Sequence, residues 1–150
     1  MNGLIITGHG SFATGIQSSV KLIAGEQPNV EYVDFLECDS TCDLEKKLIE
    51  AFSRLQKCES ILVLCDLVGG SPFKTAVLLT NGKEGSTVVG GTNLAMVIET
   101  VLLKDGLQID GLRDLAINTG KEAIKGFQKS ERPRSKSLAY DESDKVENNL

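Results

Sequence analysis

Four short runs rich in apolar and β-branched residues punctuate the chain: Leu4 to Ile6, Val30 to Leu36, Ile61 to Cys65 and Thr87 to Val89. Between them the apolar spacing changes to that of a helix. Phe12, Ile16, Val20 and Ile23 recur on one face, with Gly25 and then Pro28 as the stop. Leu44, Leu48, Phe52 and Leu55 repeat the pattern behind a Ser40-to-Asp43 capping box. A third helix is predicted to open at Ser71-Pro72, with Ser71 as N-cap and Pro72 at the first helical position, and to run to Asn81-Gly82. A fourth spans Leu94 to Leu103, and Leu112 to Ile117 predicts a fifth that ends near Gly120. Ala123 to Phe127 reads as a short final strand or a frayed helix end. This alternation predicts an α/β fold, a three-layer, doubly wound, mostly parallel sheet of order 2-1-3-4.

Beyond Phe127 the pattern stops. Residues 128–150 are polar, basic first and acidic later, with too few apolar side chains to build a core. The expected organisation is one domain over 1–127 and a solvated, disordered tail over 128–150. A chain of 150 residues is consistent with this, since folding at that size buries about 70% of the surface the unfolded chain exposes.

Composition narrows the function classes. A net charge of −5 argues against nucleic acid as a partner, because neutralising phosphates takes clustered Lys and Arg. Cys38, Cys42, Cys58 and Cys65 stand in or beside apolar segments without a CxxC pair, and read as reduced core residues. The first apolar run is too short for a signal-peptide core, and no stretch approaches the length of a membrane span. A soluble, cytoplasmic protein is expected.

The chemistry gathers where a doubly wound sheet binds its ligands, beyond the carboxyl ends of the strands. Gly8-His9-Gly10-Ser11 follows the first run, CDLVGGSPF (65–73) the third and GGTN (90–93) the fourth. In the order 2-1-3-4 the first and third strands are neighbours, so His9 and Asp66 are expected side by side. A carboxylate accepting the proton of one imidazole nitrogen leaves the other nucleophilic, able to accept a phosphoryl group. The small residues Gly8 and Gly10 would let a second molecule approach His9. Gly69-Gly70-Ser71 offers backbone N–H groups at a helix start, where an anion is stabilised, and Ser71 adds a hydroxyl.

His9 is the only histidine of the chain. The plain alternative is a hydrogen-bonded loop histidine beside a surface or capping acid. Other chemistries fit worse. One His with scattered Cys does not make a metal site, so no metal and no cofactor are expected. GHGSFATG matches neither the GxGxxG nor the GxxxxGK[ST] phosphate loop, and no GxSxG is present. A histidine phosphatase would need an Arg before His9 and a second catalytic His.

The segments ITGHGSFA, GEQPNVEYVDF (25–35), DLVGGSPF (66–73), GGTNLAMVIET (90–100) and NTGKEAIKGF (118–127) resemble the IIA component of the mannose-type sugar phosphotransferase system. The resemblance covers residues 2–127 with the blocks in the family's order. It implies that His9 takes a phosphoryl group from HPr and passes it to a IIB component, with IIC and IID moving the sugar through the membrane. Asp66 would orient His9, and Ser71, Gly70, Gly10 and Ser11 would hold the phosphoryl oxygens. Leu67, Val68 and Ser11 depart from the best-known mannose branch, and GHGSFATG is closer in flavour to the branch serving amino sugars such as N-acetylgalactosamine. The tail has no fused IIB domain, implying a separate IIB chain. The resemblance also implies a homodimer that exchanges a strand formed by 123–127. Two alternatives share this chemistry: the phosphoryl-donor subunit of a phosphotransferase-dependent dihydroxyacetone kinase, and a phosphohistidine regulatory module.

Overall fold

The computed structural model describes residues 1–130. Four parallel strands, β1 (Asn2–His9), β2 (Val30–Phe35), β3 (Ser60–Cys65) and β4 (Ser86–Val89), form one sheet in the order β2-β1-β3-β4. Five helices alternate with or follow them: α1 (Phe12–Ala24), α2 (Thr41–Arg54), α3 (Ser71–Thr80), α4 (Leu94–Leu103) and α5 (Ile109–Glu122). The predicted three-layer architecture is the observed one.

Each central strand splits its side chains between the two faces by simple alternation. Leu4, Ile6, Leu62 and Leu64 pack with Ala13 and Val20 of α1, Met96, Val97 and Val101 of α4, and Leu112 and Ala116 of α5. Ile5, Ile61, Val63 and Cys65 point the other way, onto Leu44, Leu48, Ala51 and Phe52 of α2 and Ala76 of α3. Because β1 and β3 are covered on both sides, they read as continuous apolar runs. At the amino end of the sheet a buried Lys104 is held by two bonds: Nζ donates to the Asn2 carbonyl (3.1 Å) and to Asp105 Oδ2 (3.0 Å). Asn2 Nδ2 donates back to the carbonyls of Lys104 and Leu107.

Helix boundaries follow local chemistry, with three departures from expectation. The Ser40–Asp43 capping box forms as predicted, its two halves bonding at 2.9 and 3.1 Å. The N-cap of α3, however, is Gly70 and not Ser71; Ser71 is already helical and Pro72 occupies the second helical position. Proline is accommodated there because the first four helix N–H groups lack intrahelical acceptors. α5 runs to Glu122, past Gly120, whose carbonyl accepts from Asn93 Nδ2 (2.9 Å). Residues 124–130 carry no regular structure, so the predicted fifth strand is not formed in the single chain. The cysteine reading is also corrected: Cys65 alone is buried, Cys58 is half-buried, and Cys38 and Cys42 are exposed. Cys38 lies in the loop after β2, and Cys42 sits in the first turn of α2 on its solvent side. Of the tail expected over 128–150, residues 131–150 lie outside the described residues.

Candidate active site

The chain path places the site. β1 leads to β2 on one side of it, whereas β3 pairs with its other side, so the strand order reverses between β1 and β3. The carboxyl ends of those two strands are where a doubly wound sheet opens a crevice. Thr7 pairs with Cys65, which puts His9 and Asp66, each just beyond that pair, at the same edge. His9 is the last residue of β1 rather than part of a turn.

Asp66 reaches His9 twice. Its Oδ2 accepts the His9 main-chain N–H at 2.9 Å and stands 2.8 Å from ring Nδ1, while Oδ1 accepts the Leu67 N–H at 2.8 Å. Partial burial pushes the pKa of this carboxyl up, but the bonds from the His9 amide, the His9 ring and the Leu67 amide outweigh it and hold the pKa below the usual value. The anion facing Nδ1 selects the tautomer with its proton on that nitrogen, which leaves a lone pair on Nε2. The two side chains divide the labour by exposure, Asp66 at 12% and His9 at 45%. The main chain of Asp66 is itself fixed: its N–H donates to Thr7 and its carbonyl accepts from Gly91, each at 3.2 Å.

The glycines around His9 have separate reasons. Gly8 is buried, and a methyl group added there would lie 2.5 Å from Phe12 Cδ1 and 2.9 Å from Asp66 Cγ. Gly8 therefore makes room for the orienting carboxylate, and the open approach expected of it belongs to Gly10 alone. Gly10 has φ +58° with no atom within 4 Å of an added methyl group, and its N–H donates to the Phe35 carbonyl at 2.7 Å. On the opposite side, a methyl group at Gly70 would stand 2.8 Å from His9 Cε1 and 3.5 Å from Nε2. The amino end of α3 thus abuts the nucleophilic edge of the ring.

Ser71, the first residue of α3, is half-buried, and its hydroxyl has no hydrogen-bond partner among the described residues. Gly69, with φ +81°, turns the chain into that helix start. Ser11 is exposed at the N-cap of α1 and its side chain makes no cap bond. Asp34 of β2 supplies that cap instead, accepting the Thr14 N–H at 3.0 Å and the Thr14 hydroxyl at 2.6 Å. Sequence reasoning missed Asp34, Thr14 and the Phe35 ring, whose centroid is 6.0 Å from that of His9. Asp34 is an acid beside the carboxyl end of a strand, which was the available signal. Among the described residues no three His, Cys, Asp or Glu side chains cluster to hold a metal ion, and no helix is long and apolar enough to cross a membrane.

The sequence and the fold that carry this site are similar to those of known proteins. Residues 3–117 match the family model described as PTS system fructose IIA component, EIIA-man. The chain belongs to this family. It is 32% identical over 126 residues to the mannose-specific EIIAB component of Escherichia coli, a match covering 83% of this chain and 39% of that protein. The chain thus spans well under half of that relative. Identity to the fructose-specific EIIA component of Bacillus subtilis is 28%, over 85% of this chain and 86% of the relative. Among solved structures, the phosphotransferase EIIA component of Streptococcus agalactiae superposes with TM-score 0.77 at 35% identity, covering 85% of this chain and 98% of that one. The mannose/sorbose IIA subunit of Enterococcus faecalis gives TM-score 0.77 at 27% identity, over 88% and 98%. The IIA domain described here is therefore of the mannose/fructose/sorbose type.

Proposed function

We propose that residues 1–127 form a phosphoryl carrier of the phosphoenolpyruvate-dependent sugar phosphotransferase system, taking phosphate from HPr on His9 and passing it to a IIB component. The observation that carries this reading is the 2.8 Å contact between His9 Nδ1 and Asp66, which leaves Nε2 as the free nucleophile beside the α3 helix start. The Nε2 lone pair forms the new N–P bond as the donor's N–P bond breaks, and the departing pair returns to the donor's ring nitrogen. Asp66 balances the positive charge that grows on the imidazole while Nδ1 keeps its proton. The Ser71 amide and hydroxyl face the arriving oxygens, with Gly70, Gly10 and Ser11 lining the approach. Transfer to IIB is the same step reversed onto a second nucleophile.

The sugar served is a mannose-like hexose or an amino sugar, delivered through IIC and IID membrane components. A homodimer is also part of this reading: Ile124 and Phe127 are 79% and 89% exposed, and β4 ends the sheet with one edge unpaired. Incubation with phosphoenolpyruvate, enzyme I and HPr, followed by intact mass measurement, tests the central claim. One acid-labile phosphate on His9 is the expected result; an unmodified protein overturns it.

A further inference from the structure

Helix α1 takes its cap from a neighbouring strand. The N-cap residues of α2 and α4, Ser40 and Asn93, have extended backbones with ψ 168°, and each side-chain oxygen accepts the N–H three residues on. Ser11, the N-cap of α1, has ψ 26° and makes no such bond. The N–H three residues on from it, that of Thr14, instead donates to Asp34 Oδ1 at 3.0 Å, and the Thr14 hydroxyl donates to Oδ2 at 2.6 Å. Both oxygens of one β2 carboxylate are thus committed to the start of α1.

The shortness of the turn explains the arrangement. β1 ends at His9 and α1 begins at Phe12, so Gly10 and Ser11 alone reverse the chain. Gly10 does so at φ +58°, and Ser11 gives up the extended conformation that a self-cap uses. The acid that replaces this cap is itself braced. Lys47 Nζ donates to the Asp34 carbonyl at 3.3 Å and to Asp39 Oδ2 at 2.5 Å. Because the Gly10 N–H also donates to the Phe35 carbonyl at 2.7 Å, the residues that follow His9 are pinned to the end of β2 at two points.

What is pinned reaches the reacting pair. The Phe12 ring lies in the space that a side chain at Gly8 would fill, and the Asp66 carboxyl stands against that same space. In a close-packed setting, a drifting start of α1 would carry Phe12 with it and loosen Asp66 against ring Nδ1.

We propose that Asp34 is a positioning residue for phosphoryl transfer: by capping α1 in place of Ser11 it fixes the Gly10–Phe12 turn, and through Phe12 the placement of Asp66 on His9. This rests on the carrier reading above and adds a residue to that same site. Asp34 bonds to Thr14 and not to the His9 ring, so its loss is felt in the rate of transfer and not in the binding of a donor.

The test uses the full chain and the variants Asp34→Ala, Asp34→Asn, Asp66→Asn and Ser40→Ala, the last removing a cap whose side-chain bond stays within the first turn of α2. Rates are measured with phosphorylated HPr and with phosphoramidate, a small donor. Asp34→Ala should lower the saturating rate about tenfold with both donors and change KM less than about twofold, the signature of lost positioning. Asp34→Asn, whose amide oxygen still accepts the Thr14 N–H, should recover most of that loss. Ser40→Ala should lower the melting midpoint about as much as Asp34→Ala, by about 2–6 °C, without slowing transfer. In the Asp66→Asn background, Asp34→Ala should slow transfer little further, because the two residues act through one contact. A wild-type saturating rate in Asp34→Ala overturns the proposal. Equal slowing by Ser40→Ala overturns it too, as does full multiplication of the two losses in the double variant. A measurement without any donor keeps the proposal apart from the carrier reading: nitrogen NMR of the His9 ring at about pH 8.5 should show Nδ1 protonated in the wild type and a mixture of tautomers in Asp34→Ala. If the wild type takes phosphate from neither donor, the carrier reading fails, and the ring spectra still decide for or against Asp34: a mixed spectrum supports it and an unaltered one overturns it.

Discussion

One oxygen of Asp66, Oδ2, serves both the main-chain N–H of His9 at 2.9 Å and its ring Nδ1 at 2.8 Å. The orientation of the ring is therefore tied to the backbone that carries it. The carboxylate stays anchored when the ring is removed, because the His9 and Leu67 amides still hold its two oxygens. Site chemistry and domain stability are consequently separable by substitution.

His9→Ala should abolish phosphate acceptance and shift the melting midpoint by about 2 °C or less, as for other exposed side chains without core packing. Mass spectrometry after exposure to phosphorylated HPr reads the first effect and thermal unfolding the second. Retained acceptance would remove His9 from the mechanism.

Asp66→Asn should slow transfer by roughly a hundredfold or more, because an amide in place of the carboxylate permits the wrong imidazole tautomer, a change that costs about 10⁴-fold in a Ser-His-Asp triad. The folded protein holds the Asp66 carboxyl below its ordinary pKa despite partial burial, chiefly through the His9 and Leu67 bonds. Its stabilising contribution is thus complete above the ordinary carboxylate range and is lost as the pH falls through the lowered folded value. Acidification below about pH 4 should cost the wild type more stability than the Asn variant. Parallel stability curves from pH 7 to pH 2.5 would contradict this.

Gly8→Ala and Gly10→Ala should differ in kind. A methyl group at position 8 meets Phe12 Cδ1 at 2.5 Å and Asp66 Cγ at 2.9 Å, so overpacking should cost about 1–3 kcal/mol and displace the orienting acid. At position 10 no atom lies within 4 Å, and only the φ of +58° is unfavourable, at about 1–2 kcal/mol. Gly8→Ala should therefore lose phosphate acceptance through a displaced Asp66, beyond its loss of stability, and Gly10→Ala only as far as its methyl group narrows the approach to His9. Denaturant melts paired with phosphorylation rates decide between them.

Much of this site was legible in the sequence, because it follows from strand order. Apolar runs alternating with helical stripes imply the switch point, and the switch point brings His9 to Asp66 without any knowledge of distances. What depends on close packing was not legible. The sequence shows that residue 8 is a glycine; only the neighbouring Phe12 ring and Asp66 carboxyl show that its missing side chain is occupied space. The capping rule favoured Ser71 over Gly70, because a side-chain oxygen is the usual cap. The chain instead enters α3 through the positive φ of Gly69, one residue earlier than the rule placed it. Asp34 was missed because it caps α1 across the sheet, a contact between residues 20 apart that no local pattern encodes.

The four thiols should separate by reactivity. Burial, with the adjacent Asp66 carboxylate adding to it, pushes the Cys65 thiol up to about 12, so at neutral pH it is a neutral core group. Cys38 and Cys42 are exposed and Cys58 half-buried. Alkylation of the folded protein at pH 7.5 should modify Cys38 and Cys42 first, Cys58 more slowly and Cys65 only on unfolding, because the thiolate is the reacting form. Peptide mapping of a time course checks the order. Early modification of Cys65 would show that the strand beside the active acid opens in the native state.

The segment after α5 is the place where the single chain is least self-sufficient. Residues 123–127 read in the sequence as a short final strand or a frayed helix end, and within one subunit they form no strand. Phe127 and Ile124 are left 89% and 79% exposed, and Ile124 helps to line a cleft of about 150 Å³ with Val89, Met96 and Ile117. That cleft borders β4, the strand at one edge of the sheet. A second copy laying its own 123–127 segment along that edge would bury both apolar residues, and exchange of identical segments closes a twofold dimer at little cost. Light scattering of the full chain should therefore give twice the monomer mass across micromolar concentrations. Truncation after Phe127 should leave both the mass and the phosphorylation rate unchanged. Deletion of residues 124–150 should lower the mass to that of a monomer. A full-length monomer would overturn the dimer, and a dimer that survives the longer deletion would overturn the exchanged segment alone.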